Sequence, residues 1–213
     1  MKKLKTYDMF NEGVRDKMTP KSEGDIIKSL QGLDPYRQMY KAIQFGLISV
    51  VKNIIESGID LTKKISGGSS AGYSFATEAV EYGNLDILKY LLNNGCDLGS
   101  DGMVDYHLSE AVQKGHYEVS KYLVDMGATI SDQEGDMYLQ IAVDYNNLDL
   151  VKLVIEQDCL HFEEDWINDI LLSDNTKPEI IKYMMEKMSG VNDFVKQMYE
   201  DYKKGVDILE KYV

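Results

Sequence analysis

The chain is short of the residues that most often carry chemistry. Only two cysteines, Cys96 and Cys159, and three histidines, His107, His116 and His161, occur among its 213 residues. No Cys-x-x-Cys occurs and no two histidines stand at metal-ligand spacing, so zinc has no motif to rest on. Long apolar runs are missing too. No stretch approaches the roughly 18 residues that span a bilayer, and even GLISVV is broken by Ser49. The N-terminus MKKLKTYDMFNEG is basic but meets Asp8, Asn11 and Glu12 at once, so no signal-peptide core is expected and a cytoplasmic protein is. Positive charge is scarce as well: 23 Lys and Arg face 36 Asp and Glu, a net charge of −13. That excess of acid argues against sequence-independent binding to nucleic acid or to an anionic membrane. What is present is ordinary for a folded chain, with 44% apolar and 28% charged residues, too apolar for a disordered one.

Catalytic and cofactor motifs are equally thin. SGGSSAG lacks the Gly-Lys-Ser/Thr ending that brings a lysine to phosphate, and it does not match the dinucleotide fingerprint. No recognisable nucleophile motif occurs. Asp97, Asp101, Gly102 and Asp105 stand at four positions of a calcium loop, but Gly99 and Leu108 stand where its third and twelfth need oxygen ligands. That stretch reads as an inter-repeat loop. No enzyme, cofactor or metal is expected.

What the chain does have is a repeat. Gly46, Gly83, Gly115 and Asn146 are each followed twelve residues later by Gly58, Gly95, Gly127 and Asp158. Between them lie GLISVVKNIIESG, GNLDILKYLLNNG, GHYEVSKYLVDMG and NNLDLVKLVIEQD, with a lysine always in the same phase at Lys52, Lys89, Lys121 and Lys152. Four of the seven alanines, Ala42, Ala79, Ala111 and Ala142, precede the first turn residue by four. Successive units are spaced by 37, 32 and 31 residues, the first spacing stretched by LTKKISGGSSAG. Each unit reads as two short antiparallel helices. In the outer one Ile87, Leu88, Leu91 and Leu92 form an apolar face while Asp86, Lys89 and Asn93 point away. Helices this short are marginal alone and must be held by their neighbours. WINDILLSDNTKPEIIKYMMEKMSG is a worn fifth unit, with Lys182, Tyr183, Met184 and Met185 in phase with Lys89, Tyr90, Leu91 and Leu92. The lysine row reads as a solvated outer face, with a docking stripe as the alternative. Cys96 and Cys159 share the phase of Ala128 two units apart, about 20 Å at ~10 Å per stacked helix, too far to pair and suited to small buried residues.

With the period, the alanine phase and the closing glycines in view, residues about 36–190 resemble the ankyrin-repeat family, whose unit is roughly 33 residues long. Gly72, Ala79, Gly83, Leu88, Leu91, Leu92, Gly95 and Asp97 match its pattern in the second unit, and Gly115-His116 repeats its Gly-His pair. The richness in Asn, Tyr and Ile, with outer helices ending KYLL, is similar to ankyrin proteins of giant DNA viruses, which implies the host cytoplasm. The expected fold is an all-α ankyrin-repeat solenoid of stacked antiparallel helix pairs. Its expected layout is an N-terminal segment and cap at 1–35, repeats at 36–190, and capping helices at 191–213. The family's Thr-Pro-Leu-His opening is replaced by SFAT, YHLS and MYLQ, so coupling between units is expected to rely more on apolar burial.

The resemblance implies binding of a partner protein through finger loops and the inner-helix positions just before the first glycine. Those pairs are Gln44-Phe45, Glu81-Tyr82, Gln113-Lys114 and Asp144-Tyr145, with Tyr36, Tyr73, Asp105 and Asp136 on the finger side ahead of the inner helices. Together they describe an acidic, tyrosine-rich strip suited to a basic segment. The aromatics can instead pack between units, Phe45 more readily than the tyrosines, whose hydroxyls favour a wet edge. Two roles follow: a monomeric adaptor or scaffold that binds a protein, or a structural component that assembles with itself or with a particle.

Overall fold

The computed structural model describes residues 22–63, 74–98, 103–157, 159–160 and 176–187, with 197, 200 and 204. Among the described residues there are helices and no strands: α1 (Glu23–Leu30), α2 (Pro35–Gln44), α3 (Ile48–Glu56), α4 (Phe75–Glu81), α5 (Leu85–Asn93), α6 (Met103–Gln113), α7 (Tyr117–Asp125), α8 (Gly135–Asp144), α9 (Leu148–Ile155) and α10 (Pro178–Lys187). Inner helices α2, α4, α6 and α8 pack on one another in chain order, outer helices α3, α5, α7 and α9 do the same, and α10 continues the outer layer. Residues 64–72 of the expected insertion, and Tyr73 after it, lie outside the described residues, as does nearly all of the expected cap at 191–213.

The twelve-residue interval is the distance between two helix endings of one kind. At the end of α2 the amide of Leu47 donates to Ala42 O at 2.8 Å and that of Gly46 to Ile43 O at 3.0 Å. This crossed pair satisfies carbonyls that the helix leaves open and needs a left-handed residue between them. The same crossing recurs with Asn84 to Ala79, His116 to Ala111 and Asn147 to Ala142, and at the outer helices with Cys96 to Leu91 and Ala128 to Leu123. Asn146 stands where the others have glycine and is the one non-glycine at positive φ among the described residues, at 49°. Its side chain accepts from the amide of Lys177 at 2.9 Å, a tie to the next unit. The small residues after the outer turns are buried as their phase suggested: Cys96, Ala128 and Cys159. Neither cysteine forms a disulfide.

One buried apolar cluster runs from Leu30 to Met184. Ile87, Leu88 and Leu91 of α5 are inside it, while Asp86, Lys89 and Asn93 are exposed. Each such leucine contributes about 1.5–3 kcal/mol by leaving water. Ala79 and its three phase-mates are fully buried where the inner helices approach. In α10 the worn unit still buries Ile180, Ile181 and Met184.

Two expectations need correction. Coupling between units is not left to apolar burial. Within the second unit Ser74 Oγ donates to Asp97 O at 2.7 Å while accepting from the amide of Thr77; between units Asn84 Nδ2 donates to Ile43 O at 2.7 Å, and the fully buried ring of His107 bonds Leu98 O through Nε2 at 2.7 Å. Ser74 and His107 thus bond backbone carbonyls without the family's opening tetrapeptide. Inner helices also begin earlier than read. Tyr36, Asp105 and Asp136 lie inside the first turns of α2, α6 and α8, where the aligned amides favour carboxylates. The stretch read as a loop from Asp97 to Leu108 is therefore helical from Met103. The lysine row is exposed at Lys52, Lys89, Lys121 and Lys182, as a solvated face is, and three of its cations also meet rings: Lys52 Nζ stands 5.4 Å from the ring centre of Tyr90, Lys89 5.1 Å from that of Tyr122, and Lys152 5.9 Å from that of Tyr183. Each cation reaches an aromatic face one unit ahead, a favourable pairing. Lys121 has Leu153 in the corresponding place.

Candidate partner-binding strip

Counting from the alanine of each inner helix lines up three rows on one face. One residue before it stand Lys41, Glu78, Glu110 and Ile141; two after, Gln44, Glu81, Gln113 and Asp144; three after, Phe45, Tyr82, Lys114 and Tyr145. The last two rows are the sequence-derived pairs, and the stack brings them side by side because α2, α4, α6 and α8 are neighbours.

The aromatics divide differently from the expectation. Phe45 is 46% exposed, with Lys41 Nζ 6.0 Å from its ring centre. Tyr82 is half-buried and its hydroxyl accepts from Gln44 Nε2 at 3.2 Å. Burial, followed by a hydrogen bond with Tyr40, pushes its phenol well above the ordinary range. Tyr145 is 43% exposed on one side while its other face lies on Gly115, and its hydroxyl donates to Gln113 O at 3.3 Å. The tyrosine hydroxyls therefore bridge units, and Phe45 is the freer ring. The reason is length: a phenol spans to the preceding helix and finds a polar partner there, which phenylalanine lacks.

The polar members are similarly engaged. Glu81 Oε1 holds Lys114 Nζ at 2.9 Å across α4 and α6, and Glu81 O holds His116 Nε2 at 3.0 Å. Gln113 and Asp144 are exposed, Asp144 accepting from Gln140 at 2.8 Å. Asp105 Oδ1 accepts from the amide of Thr129 at 2.7 Å, so this carboxylate already serves the next connection. Asp136 is partly buried in the first turn of α8. Tyr73 lies outside the described residues.

Sequence reasoning passed over four residues on this face. Tyr106 and Met137, each five residues before the alanine, are exposed apolar side chains on α6 and α8. Glu78 and Glu110 stand one before it, and Glu78 is buried. Burial, then the like charge of Glu81, raises the Glu78 carboxyl from 4.5 to about 7, with Lys114 opposing and Glu110 adding. The phase count that found the alanines would have found all four. Acid is thus concentrated on α4 and α6, between Lys41 at one side and Ile141 at the other.

Comparison with known families decides the architecture. Residues 76–165 match the family model of ankyrin repeats, in three copies. The fold is an ankyrin-repeat solenoid. The matched ankyrin repeats cover α4 to α9 almost completely, and α2 with α3 repeats the same turns just before them. Ankyrin repeats are generally protein–protein interaction modules. No curated protein matches the chain, so the narrower likeness to viral ankyrin proteins has no relative behind it. Among the described residues no helix is long and apolar enough to cross a membrane.

Proposed function

We propose that this ankyrin array is an adaptor or scaffold that holds a partner protein on its inner-helix strip, from Phe45 through Glu81, Tyr82, Gln113 and Lys114 to Asp144 and Tyr145, with Tyr73, Asp105 and Asp136 at the finger side. The observation that carries this reading is register. Of the six large apolar side chains left exposed among the described residues, Phe45, Tyr106, Met137 and Tyr145 fall in register along the inner layer at α2, α6 and α8, while Met103 opens α6 and Met126 follows the outer helix α7. Exposed apolar groups aligned on a rigid support and flanked by charge are what a partner covers. The array works as a monomer.

Affinity capture compares the whole chain with its Phe45→Ala/Tyr145→Ala variant, both checked for melting within about 3 °C of each other. A protein retained by the native chain and lost by the variant is the expected result. Equal retention by both defeats the strip. Sedimentation at rising concentration addresses self-assembly: a constant monomer mass is expected, and growth with concentration favours a structural component instead.

A further inference from the structure

Glu78 is the only buried acidic side chain among the described residues, 7% exposed on α4. Its Oε2 meets no hydrogen-bond donor there. The one ammonium that acts on it, Lys114, is already bound to Glu81 Oε1 at 2.9 Å. Glu110, across on α6, adds a further like charge, and its Oε1 accepts from Tyr106 OH at 3.2 Å. On the α2 side the residues in register are Tyr40 and Lys41, and Lys41 is turned to Gln44 at 2.8 Å and to the rings of Tyr40 and Phe45. From the outer layer α5 contributes the apolar Ile87, Leu88 and Leu91 to the core. Glu78 therefore feels two further carboxyls and one ammonium that Glu81 already holds, and its Oε2 lacks a donor.

An orphaned buried carboxyl is expensive, and a donor supplied by a ligand removes the expense. One turn before Glu110 stands the exposed Tyr106, and Met137 holds the same register on α8. Resting on the adaptor reading, we infer that Glu78, with Glu81 and Glu110, receives a lysine or arginine side chain of the partner, beside an apolar side chain that lies on Tyr106 and Met137. The ligand's cation offsets the repulsion among the three acids and, as the Glu78 carboxyl turns outward to meet it, gives Oε2 its donor. Because burial holds the free carboxyl protonated up to about pH 7, cation binding expels a proton, and affinity rises with pH across neutrality.

Heptapeptides selected from a random phage-displayed library on the whole chain serve as the probe. The expected winners carry Lys or Arg within two residues of an apolar residue. Their affinity falls about tenfold from pH 8 to pH 6, as the ionised fraction of a group titrating near 7 falls. Glu78→Gln, close in shape, weakens them about tenfold at pH 8 and removes the pH response. Should that variant fail to fold, Glu110→Gln, at a half-exposed site, weakens the same peptides. Peptides lost on Phe45→Ala/Tyr145→Ala but held undiminished by both Gln variants, or winners without a basic residue, overturn the cation receptor and leave the strip standing. Winners indifferent to every one of these variants overturn both readings.

Discussion

The imidazole of His116 lies against the α-carbon of Gly83, one unit back, so closely that a β-carbon on residue 83 would stand 2.6 Å from Nδ1. The ring is held there by Nε2, bonded to Glu81 O at 3.0 Å. Gly83 itself has φ of +69°. A single glycine thus ends one helix and seats the first side chain of the next unit's outer segment. At Gly46 the amide of Asn84 takes the same role, its Nδ2 donating to Ile43 O at 2.7 Å.

Gly83→Ala therefore meets two separate penalties. The left-handed backbone costs a β-carbon roughly 1–2 kcal/mol, and displacing the imidazole adds about 1–2 more. Urea unfolding of Gly83→Ala, His116→Ala and the double variant separates them. The alanine substitution is expected to cost about half as much once the ring is gone, since only the backbone strain remains. Strict additivity in that cycle shows that the ring is not the obstacle.

Glu78 makes stability depend on pH in an unusual direction. Its folded carboxyl titrates at about 7 against 4.5 in the unfolded chain, so between those values the folded state binds more protons. Stability from this group is complete below pH 4.5 and declines as pH rises through 7. The loss is on the order of 1–3 kcal/mol. Glu78→Gln is therefore expected to be more stable than the native chain at about pH 8 and to lose that advantage toward about pH 5. Denaturant midpoints at the two pH values measure it. A Glu78→Gln chain no more stable than native at the higher pH means that the carboxylate is well solvated or paired.

The lysine-to-tyrosine pairs between outer helices predict a coupling that a plain charged face lacks. In a double-variant cycle of Lys89→Met and Tyr122→Leu, the interaction energy is expected at about 0.5–1 kcal/mol. The corresponding cycle of Lys121→Met with Leu153→Ala serves as the reference, with coupling near zero expected because Leu153 stands where the other units have a tyrosine. Equal coupling in both cycles would assign the effect to alkyl packing.

Much of the architecture could be read without coordinates because each unit writes its own ends into the chain. The alanine and glycine phases mark where a helix must pass close to a neighbour and where a backbone must turn left-handed, and both demands are local. The alternation of Ile87, Leu88 and Leu91 with Asp86 and Lys89 carries the burial pattern equally openly. What stayed hidden depends on two units at once. Lys89 and Tyr122 are neighbours only after stacking, and Glu78 looks like any solvated glutamate until α6 covers it. Asp105 was read ahead of its helix because a first-turn carboxylate and a loop carboxylate are identical in one dimension. The tyrosines were assigned to the rim for their hydroxyls, whereas those of Tyr82 and Tyr145 reach groups on the preceding helix, a matter of side-chain length and not polarity.

The crossed amides at each turn, repeated with the same partners from Ala42 to Ala142, leave every joint dependent on its two flanking units alone. A gene duplication that copies one module in frame brings its own hinge, its own seat for the following side chain and its own lysine. Lengthening or shortening this protein by whole modules is thus an evolutionary step that disturbs only the joint at which a module enters or leaves, and at either end of the array it moves the ends of the partner surface without redesigning its middle.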